Sequence, residues 1–447
     1  MSRNCKCVLC KNNIDFEIPL QIINGFTNSE VIIFAGAGIS TENRMVNPRT
    51  LYDQISDEID FDTNDISFPS LMEIYCNQPN GRRKLISKII ERFHFIDSFL
   101  ESYMLATRFH RELATIPFLD KIITTNWDTY FEDICLARPF VTPKDYALWD
   151  IPGRKIFKIH GSINNLGSLI ITKNDYKRCY QYLQKSIVGS TIKNIIGTKT
   201  LLFIGYSLRD EDFLKIYNFI LKEMDEFKPT SYIVSLNKDA NSYFKRYGLI
   251  PIYTDATFFI KKVKEHLIYS GYMINDEKFK KFFSLLDEIY EIHDFCSHFL
   301  SIHNFPELLY TLFYQDGLIH AYERLLKRFN SGEYSSKNKI LDLINYYINL
   351  RKETNYFDKS YIDGYIQGLY SIIEGEEIQL PNCFYIFGLE NEKQPKNKDS
   401  FIKLLKNGEG KKHKSSYKEA NKEIGKITSN NRELTIHHTT HILLGKK

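Results

Sequence analysis

The sequence predicts an α/β protein built on a doubly wound parallel sheet, with a helical insertion and a mainly helical C-terminal region. Three observations carry this expectation. Short continuous apolar runs, several of them ending in glycine, recur between residues 31 and 253. Helical patterns lie between those runs. From residue 277 onward the spacing is that of helices alone, with Phe282, Leu285, Leu286, Ile289, Ile292, Cys296 and Phe299 on one stripe.

Residues 1–29 read as a lead-in. Val31-Ile32-Ile33-Phe34-Ala35 is apolar throughout, which suits a strand buried on both faces of a parallel sheet. Runs at 121–125, 156–159, 201–204, 231–235 and 252–253 continue the series. Strands alternating with helices indicate a doubly wound sheet. The stretch 67–114 is helical, with Leu71, Ile74, Leu85, Ile89, Phe93, Ile96 and Leu100 near helical spacing, and forms an insertion between the first two strands. The sheet region then spans 30–275 and the helical region 276–390. Residues 391–447 are a Lys- and Asn-rich tail whose composition predicts partial disorder.

At roughly 100–200 residues per domain, a chain of 447 residues holds two or three domains. With 43% hydrophobic and 26% charged residues, it has the composition of a soluble protein with a sizeable core. No apolar run reaches the roughly 20 residues that span a bilayer, and the N-terminus lacks a secretory signal, so the expected location is cytoplasmic and no membrane is involved. The eight cysteines are then expected to be reduced. Net charge is +4, but residues 391–432 hold 12 Lys and Arg against 5 Asp and Glu, leaving the rest at −3. The body is therefore not a nucleic-acid binder, and only a weak tail contact with an acidic partner is expected.

Four motifs carry chemistry, each at a predicted strand end. Phe34-Ala35-Gly36-Ala37-Gly38-Ile39-Ser40 is a glycine turn that opens a helix, suited to bring backbone N–H groups near a pyrophosphate. Thr124-Thr125-Asn126-Trp127-Asp128 supplies an amide and a carboxylate, although the same residues could simply cap a helix. Lys158-Ile159-His160-Gly161-Ser162 supplies an imidazole able to act as a general base near neutral pH, where an ordinary core histidine is the bland alternative. Phe203-Ile204-Gly205-Tyr206-Ser207 is a second glycine turn with a hydroxyl for phosphate or ribose.

In this order the four motifs resemble those of the sirtuin family: Gly-Ala-Gly-x-Ser, Thr-x-Asn-x-Asp, His-Gly and Gly-x-Ser. The resemblance covers about half the chain and implies a Rossmann-like fold that binds NAD as substrate. It implies that Gly36, Ala37, Gly38 and Ser40 hold the phosphates and that Thr125 also contacts the dinucleotide. Asn126 would position the nicotinamide ribose and a water, Asp128 would contact the nicotinamide carboxamide, and His160 would be the base. Gly205 and Ser207 would hold the adenosine side, with a weaker match for Asn237. Two family features are missing. A single cysteine, Cys179, lies between His160 and Gly205, so the four-cysteine zinc module of the deacylases is absent and no zinc is expected there. Residues 41–49 read TENRMVNPR in place of the deacylase loop, leaving Arg44, Arg49 and Tyr52 as candidates to cover the ribose.

These departures, with the helical C-terminal region, resemble the sirtuin-like NAD hydrolases of bacterial anti-phage defence. That resemblance implies an NAD glycohydrolase that works as a homo-oligomer, alone or with a partner such as a DNA-translocating ATPase or a phage-sensing protein. An ADP-ribosyltransferase or deacylase, and a non-catalytic NAD or ADP-ribose sensor, stay open beside it. Cys5, Cys7 and Cys10 begin a zinc-like spacing without a close fourth ligand. His437, His438 and His441, and Lys411, Lys412 and Lys414, read as parts of a solvated tail.

Overall fold

The computed structural model describes residues 7–59, 66–149, 151–208, 211–298, 304–374 and 379–429. The chain divides into two compact units, 1–270 and 271–447.

The first unit is a seven-stranded parallel sheet with helices between its strands. Its strands are β1 (Val31–Ala35), β2 (Lys121–Thr124), β3 (Arg138–Phe140), β4 (Lys155–Lys158), β5 (Thr200–Ile204), β6 (Ser231–Ser235) and β7 (Leu249–Tyr253). Their order is β3-β4-β2-β1-β5-β6-β7, and every pairing is parallel. This is the Rossmann-like, doubly wound fold that the sequence predicts. All five residues of β1 are buried, which requires cover on both faces. On one face, Phe34, Phe157, Phe203 and Ile233 share a core with Ile192, Phe213 and Tyr217 from helices Ile187–Thr198 and Glu211–Met224.

β3 has no counterpart among the apolar runs. It is three residues long, two of them exposed, and Pro139 is tolerated because this is an edge strand. Pro251 sits on the opposite edge, in β7, for the same reason.

From β1 the chain runs outward through β2 to β4 on one side, then returns to place β5 on the other side of β1. Such a reversal opens a crevice at the carboxyl ends of the central strands. The loops after β4, β2, β1 and β5 line up along that edge, about 14 Å from β4 to β5 at the usual strand spacing.

The insertion after β1 consists of helices Phe68–Cys76, Gly81–Ser98, Leu100–Ala106 and Arg108–Ala114. The first two build a small core of their own, in which Leu71, Tyr75, Leu85, Ile89 and Phe93 meet Leu51, Ile55, Leu169 and Ile171. Arg82 ties the insertion to the segment after β4, donating to Asp175 (2.7 Å) and to the Leu169 carbonyl (3.0 Å).

The second unit is helical. Helices Asp276–His298, Leu308–Arg328, Lys337–Lys352 and Tyr356–Ile373 enclose a tyrosine-rich core that includes Tyr314, Tyr322, Tyr361 and Tyr365. Helices Leu308–Arg328 and Tyr356–Ile373 approach closely where Gly317 and Gly364 face the backbone of the opposite helix. Within the basic tail, the described residues 391–429 are more ordered than their composition suggests. They form helices Lys398–Lys406 and Lys414–Ser429, because Phe401, Leu405, Ala420 and Ile424 reach buried clusters around Leu308, Leu309 and Tyr310. Cys5 and the three tail histidines lie outside the described residues.

Candidate active site

A cavity of about 970 Å³ opens at the carboxyl ends of the central strands. This is at the upper end of the roughly 300–1,000 Å³ range for ligand sites. Its wall includes Gly36, Ala37 and Gly38 after β1, Thr125 and Asn126 after β2, His160 after β4, and Gly205 and Ser207 after β5. Eight of the eleven residues to which the resemblance gives a role thus share one cavity.

The glycines serve the packing of one turn on the other. A β-carbon on Gly36 would come within 2.5 Å of the Gly205 carbonyl oxygen, and one on Gly38 within 2.8 Å. Gly205 has φ +63, and its own β-carbon would press on Ile39. The Gly36 N–H donates to the Ile204 carbonyl (2.9 Å) and the Gly38 N–H to that of Gly205 (3.0 Å). The two loops therefore interlock as one floor beneath the cavity.

Asn126 is the best-defined polar group in the wall. It is only 2% exposed, and its backbone N–H is held by Thr124 Oγ1 at 3.0 Å. Its Nδ2 faces Ser40 Oγ at 3.4 Å, and the Ser40 hydroxyl donates to Asp128 Oδ2 at 2.8 Å. Because the Ser40 proton is committed to Asp128, Ser40 can only accept from Asn126, and this sets the orientation of the amide. Asn126 Oδ1 is left buried with no hydrogen-bond donor among the described residues. A buried acceptor without a partner costs about 1–3 kcal/mol, which a bound donor would recover.

Ser40 and Asp128 lie behind the wall. Asp128 is 3% exposed, its Oδ1 accepts from the Tyr130 N–H at 3.3 Å, and it does not line the cavity. Burial pushes its carboxyl above the usual range, against the pull of Lys158 and of the Ser40 hydroxyl. Lys158, fully enclosed, donates to the Asp128 carbonyl and to Glu132 (2.8 Å). Burial raises the Glu132 carboxyl too, again opposed by Lys158. Asn237 is exposed after β6, where its Oδ1 accepts from the Asp239 N–H at 3.0 Å, and it takes no part in the cavity wall.

His160 is nearly buried, with its ring 4.7 Å from that of Tyr176, another cavity residue. Tyr176 is held by helix Lys173–Lys185, which a Thr172/Asp175 capping box starts. This helix and Ile187–Thr198 occupy the stretch between His160 and β5. Cys179 donates to the Ile159 carbonyl (3.4 Å), and no group of three or more His, Cys, Asp or Glu among the described residues is arranged to hold a metal.

The opposite wall comes from the loop after Ser40 and from the insertion. Of the three candidates there, only Tyr52 lines the cavity; Arg44 is exposed and paired with Asp53 (3.3 Å), and Arg49 pairs with Asp57. Arg92, from helix Gly81–Ser98, was not legible in the sequence. Its side chain is 2% exposed, and it donates to the carbonyls of Arg49 and Thr41, both at 2.7 Å. Its Nε lies 3.1 Å from Glu42 Oε1, an ion contact instead of a well-aligned hydrogen bond. Glu42 Oε2 accepts from the Leu51 N–H at 3.0 Å. One guanidinium thus pins both ends of the loop that stands where the deacylase loop would be.

Residues 120–252 match the model of the SIR2-like domain. This part of the chain is a SIR2-like domain. The match takes in β2 to β7, with Asn126, His160 and the Gly205 turn, while the glycine turn after β1 precedes it. The chain is also similar to the NAD(+) hydrolase ThsA of Cytobacillus dafuensis, at 29% identity over 231 residues, covering 50% of this chain and 44% of that protein. With ThsA of Enterococcus faecium it shares 28% over 210 residues, covering 45% and 42%. Defense-associated sirtuin 2 of Bacillus subtilis is 23% identical over 261 residues, covering 54% of this chain and 25% of that protein. The matches span less than half the length of each relative. No described helix is long and apolar enough to cross a membrane.

Proposed function

We propose that the SIR2-like domain binds NAD and hydrolyses its nicotinamide–ribose bond, and that the protein is an NAD-depleting effector of anti-phage defence. The observation that carries the reading is the buried, unpaired Asn126 Oδ1 in the wall of a cavity that also holds His160 and the two glycine turns. The names of the relatives, NAD(+) hydrolase and defence-associated sirtuin, point the same way.

Laid along the strand ends, the diphosphate lies over the turn at Gly36–Gly38, the adenosine half toward Gly205 and Ser207, and the nicotinamide ribose toward Asn126 and His160. Cleavage breaks the bond between C1′ and the pyridinium nitrogen, whose electron pair leaves with neutral nicotinamide. The Asn126 oxygen accepts from a ribose hydroxyl or from the attacking water and holds it in line. Water forms the new C1′–O bond, and His160 takes the proton it loses. Behind Asn126, the Ser40 hydroxyl and the Asp128 carboxyl hold the amide in place, so its oxygen stays directed at the reacting sugar.

The test is chromatography of nicotinamide and ADP-ribose after incubating the purified chain with NAD. Wild type should release both in equal amounts, and Asn126→Ala and His160→Ala should release neither while melting near the wild-type temperature. Turnover by Asn126→Ala at the wild-type rate would overturn the assignment. ADP-ribose recovered on a protein or nucleotide acceptor would show a transferase instead.

A further inference from the structure

We infer that Trp127 selects the leaving group: its indole N–H donates to the carbonyl of the nicotinamide carboxamide. This rests on the proposed cleavage of NAD and adds a residue to it. Trp127 follows Asn126 on the same turn and is among the residues that line the same cavity. Its Nε1 is buried and has no acceptor among the described residues. The turn thus presents two neighbouring groups left unsatisfied by the protein, an acceptor on Asn126 and a donor on Trp127. The backbone carbonyl of Trp127 accepts from the Ile163 N–H at 2.9 Å, which anchors the turn.

Position along the sheet edge decides what the donor meets. With the diphosphate above β1 and the ribose above β2 and β4, the pyridine ring must lie beyond Asn126 on the side away from β1 and β5. Around Trp127 the wall is aromatic and apolar. Phe68, from the insertion, stands 6.4 Å from the Trp127 ring, with Ile66 and Pro69 beside it. A flat, cationic ring suits such a wall. The polar group that ring carries is a carboxamide, and its carbonyl is the acceptor that an isolated indole donor needs. Asp128, the residue that the family resemblance assigns to the carboxamide, is turned away and already engaged by Ser40 and the Tyr130 N–H. That leaves the task to its neighbour.

The experiment compares Trp127→Phe with wild type on three dinucleotides: NAD, its 3-acetylpyridine analogue, and the pyridine analogue with no 3-substituent. Phenylalanine keeps an aromatic ring and removes the donor. Losing one hydrogen bond should raise KM about five- to tenfold for NAD and for the acetylpyridine analogue, which keeps the carbonyl. The unsubstituted analogue should show no difference between the two proteins. An equal loss on all three would make Trp127 merely structural, and no loss on any would also overturn the inference. If wild type proves not to cleave NAD, the cleavage reading fails, and dissociation constants for the same dinucleotides carry the same comparison. A second measurement leaves Trp127 intact. The chain has two tryptophans, so Trp149→Phe makes Trp127 the only indole, and its emission should change with NAD but not with ADP-ribose. An unchanged emission at saturating NAD would count against the contact.

Discussion

Replacing Arg92 by Met tests how the cavity keeps its outer wall. The substitution keeps the length and apolar stem of the side chain. It removes two 2.7 Å hydrogen bonds to the carbonyls of Thr41 and Arg49 and the 3.1 Å ion contact with Glu42. Breaking a buried pair by removing one partner costs about 3–5 kcal/mol. Glu42 keeps 31% of its side-chain surface open, so water can reach it and the low end, about 3 kcal/mol, applies. For a unit of this size that lowers the melting temperature by about 6–12 °C. The loss should also depend on pH. Burial pushes the Glu42 carboxyl above its usual range, and Arg92 pulls it back. The native state then holds the proton to higher pH than the unfolded chain, so this group's contribution is complete below the unfolded pKa and is lost as pH rises through the native one. Without Arg92 the native pKa rises further and that window extends upward. Urea denaturation should find Arg92→Met more destabilised near pH 8 than near pH 5.5, and its KM for NAD should rise as the loop at 41–51 loosens. A variant that matches wild type at both pH values, or that is hurt more at the lower one, would refute the reasoning.

Three further outcomes follow from contacts in the two units. Ser40→Ala removes the link between Asn126 and Asp128. It should lower kcat for NAD about tenfold, with a stability loss of about 1–3 kcal/mol by denaturant titration. Gly205→Ala forces a β-carbon to 2.6 Å from the Ile39 nitrogen at φ +63, so the interlocked turns must separate. Calorimetry should find NAD binding weakened at least tenfold, after a conformational cost of about 1–2 kcal/mol before any clash. In the helical unit, Gly317→Ala aims a β-carbon at the Tyr361 carbonyl of the facing helix. It should cost about 1–3 kcal/mol or more, read as a lower urea midpoint of the full chain.

The sheet was legible because parallel strands covered on both faces are written as unbroken apolar runs. Six of the seven strands announce themselves this way, and the glycine, Asn126 and His160 motifs fall at the ends of four of them. β3 left no such mark, since an edge strand of Arg-Pro-Phe buries one residue. Arg92 was hidden for a different reason. An arginine in an amphipathic helix looks like surface, and only the packing of the insertion on the loop at 41–51 turns it inward. Spacing likewise could not say which way the Asp128 carboxylate points, or that the segment after β6 leaves Asn237 in solvent. The basic residues at 398–429 mask a few apolar ones, and those few suffice for two helices because a partner core awaits them.

The most direct test of the central claim is a structure of the wild-type chain with a non-cleavable carbocyclic analogue of NAD. The diphosphate should lie above the Gly36–Gly38 turn. A nicotinamide-ribose hydroxyl, or a water facing C1′, should lie about 3 Å from Asn126 Oδ1, with the His160 imidazole on the same ribose. A dinucleotide bound in the reverse sense, with adenine against Trp127 and the nicotinamide ribose beyond reach of both side chains, would contradict the claim.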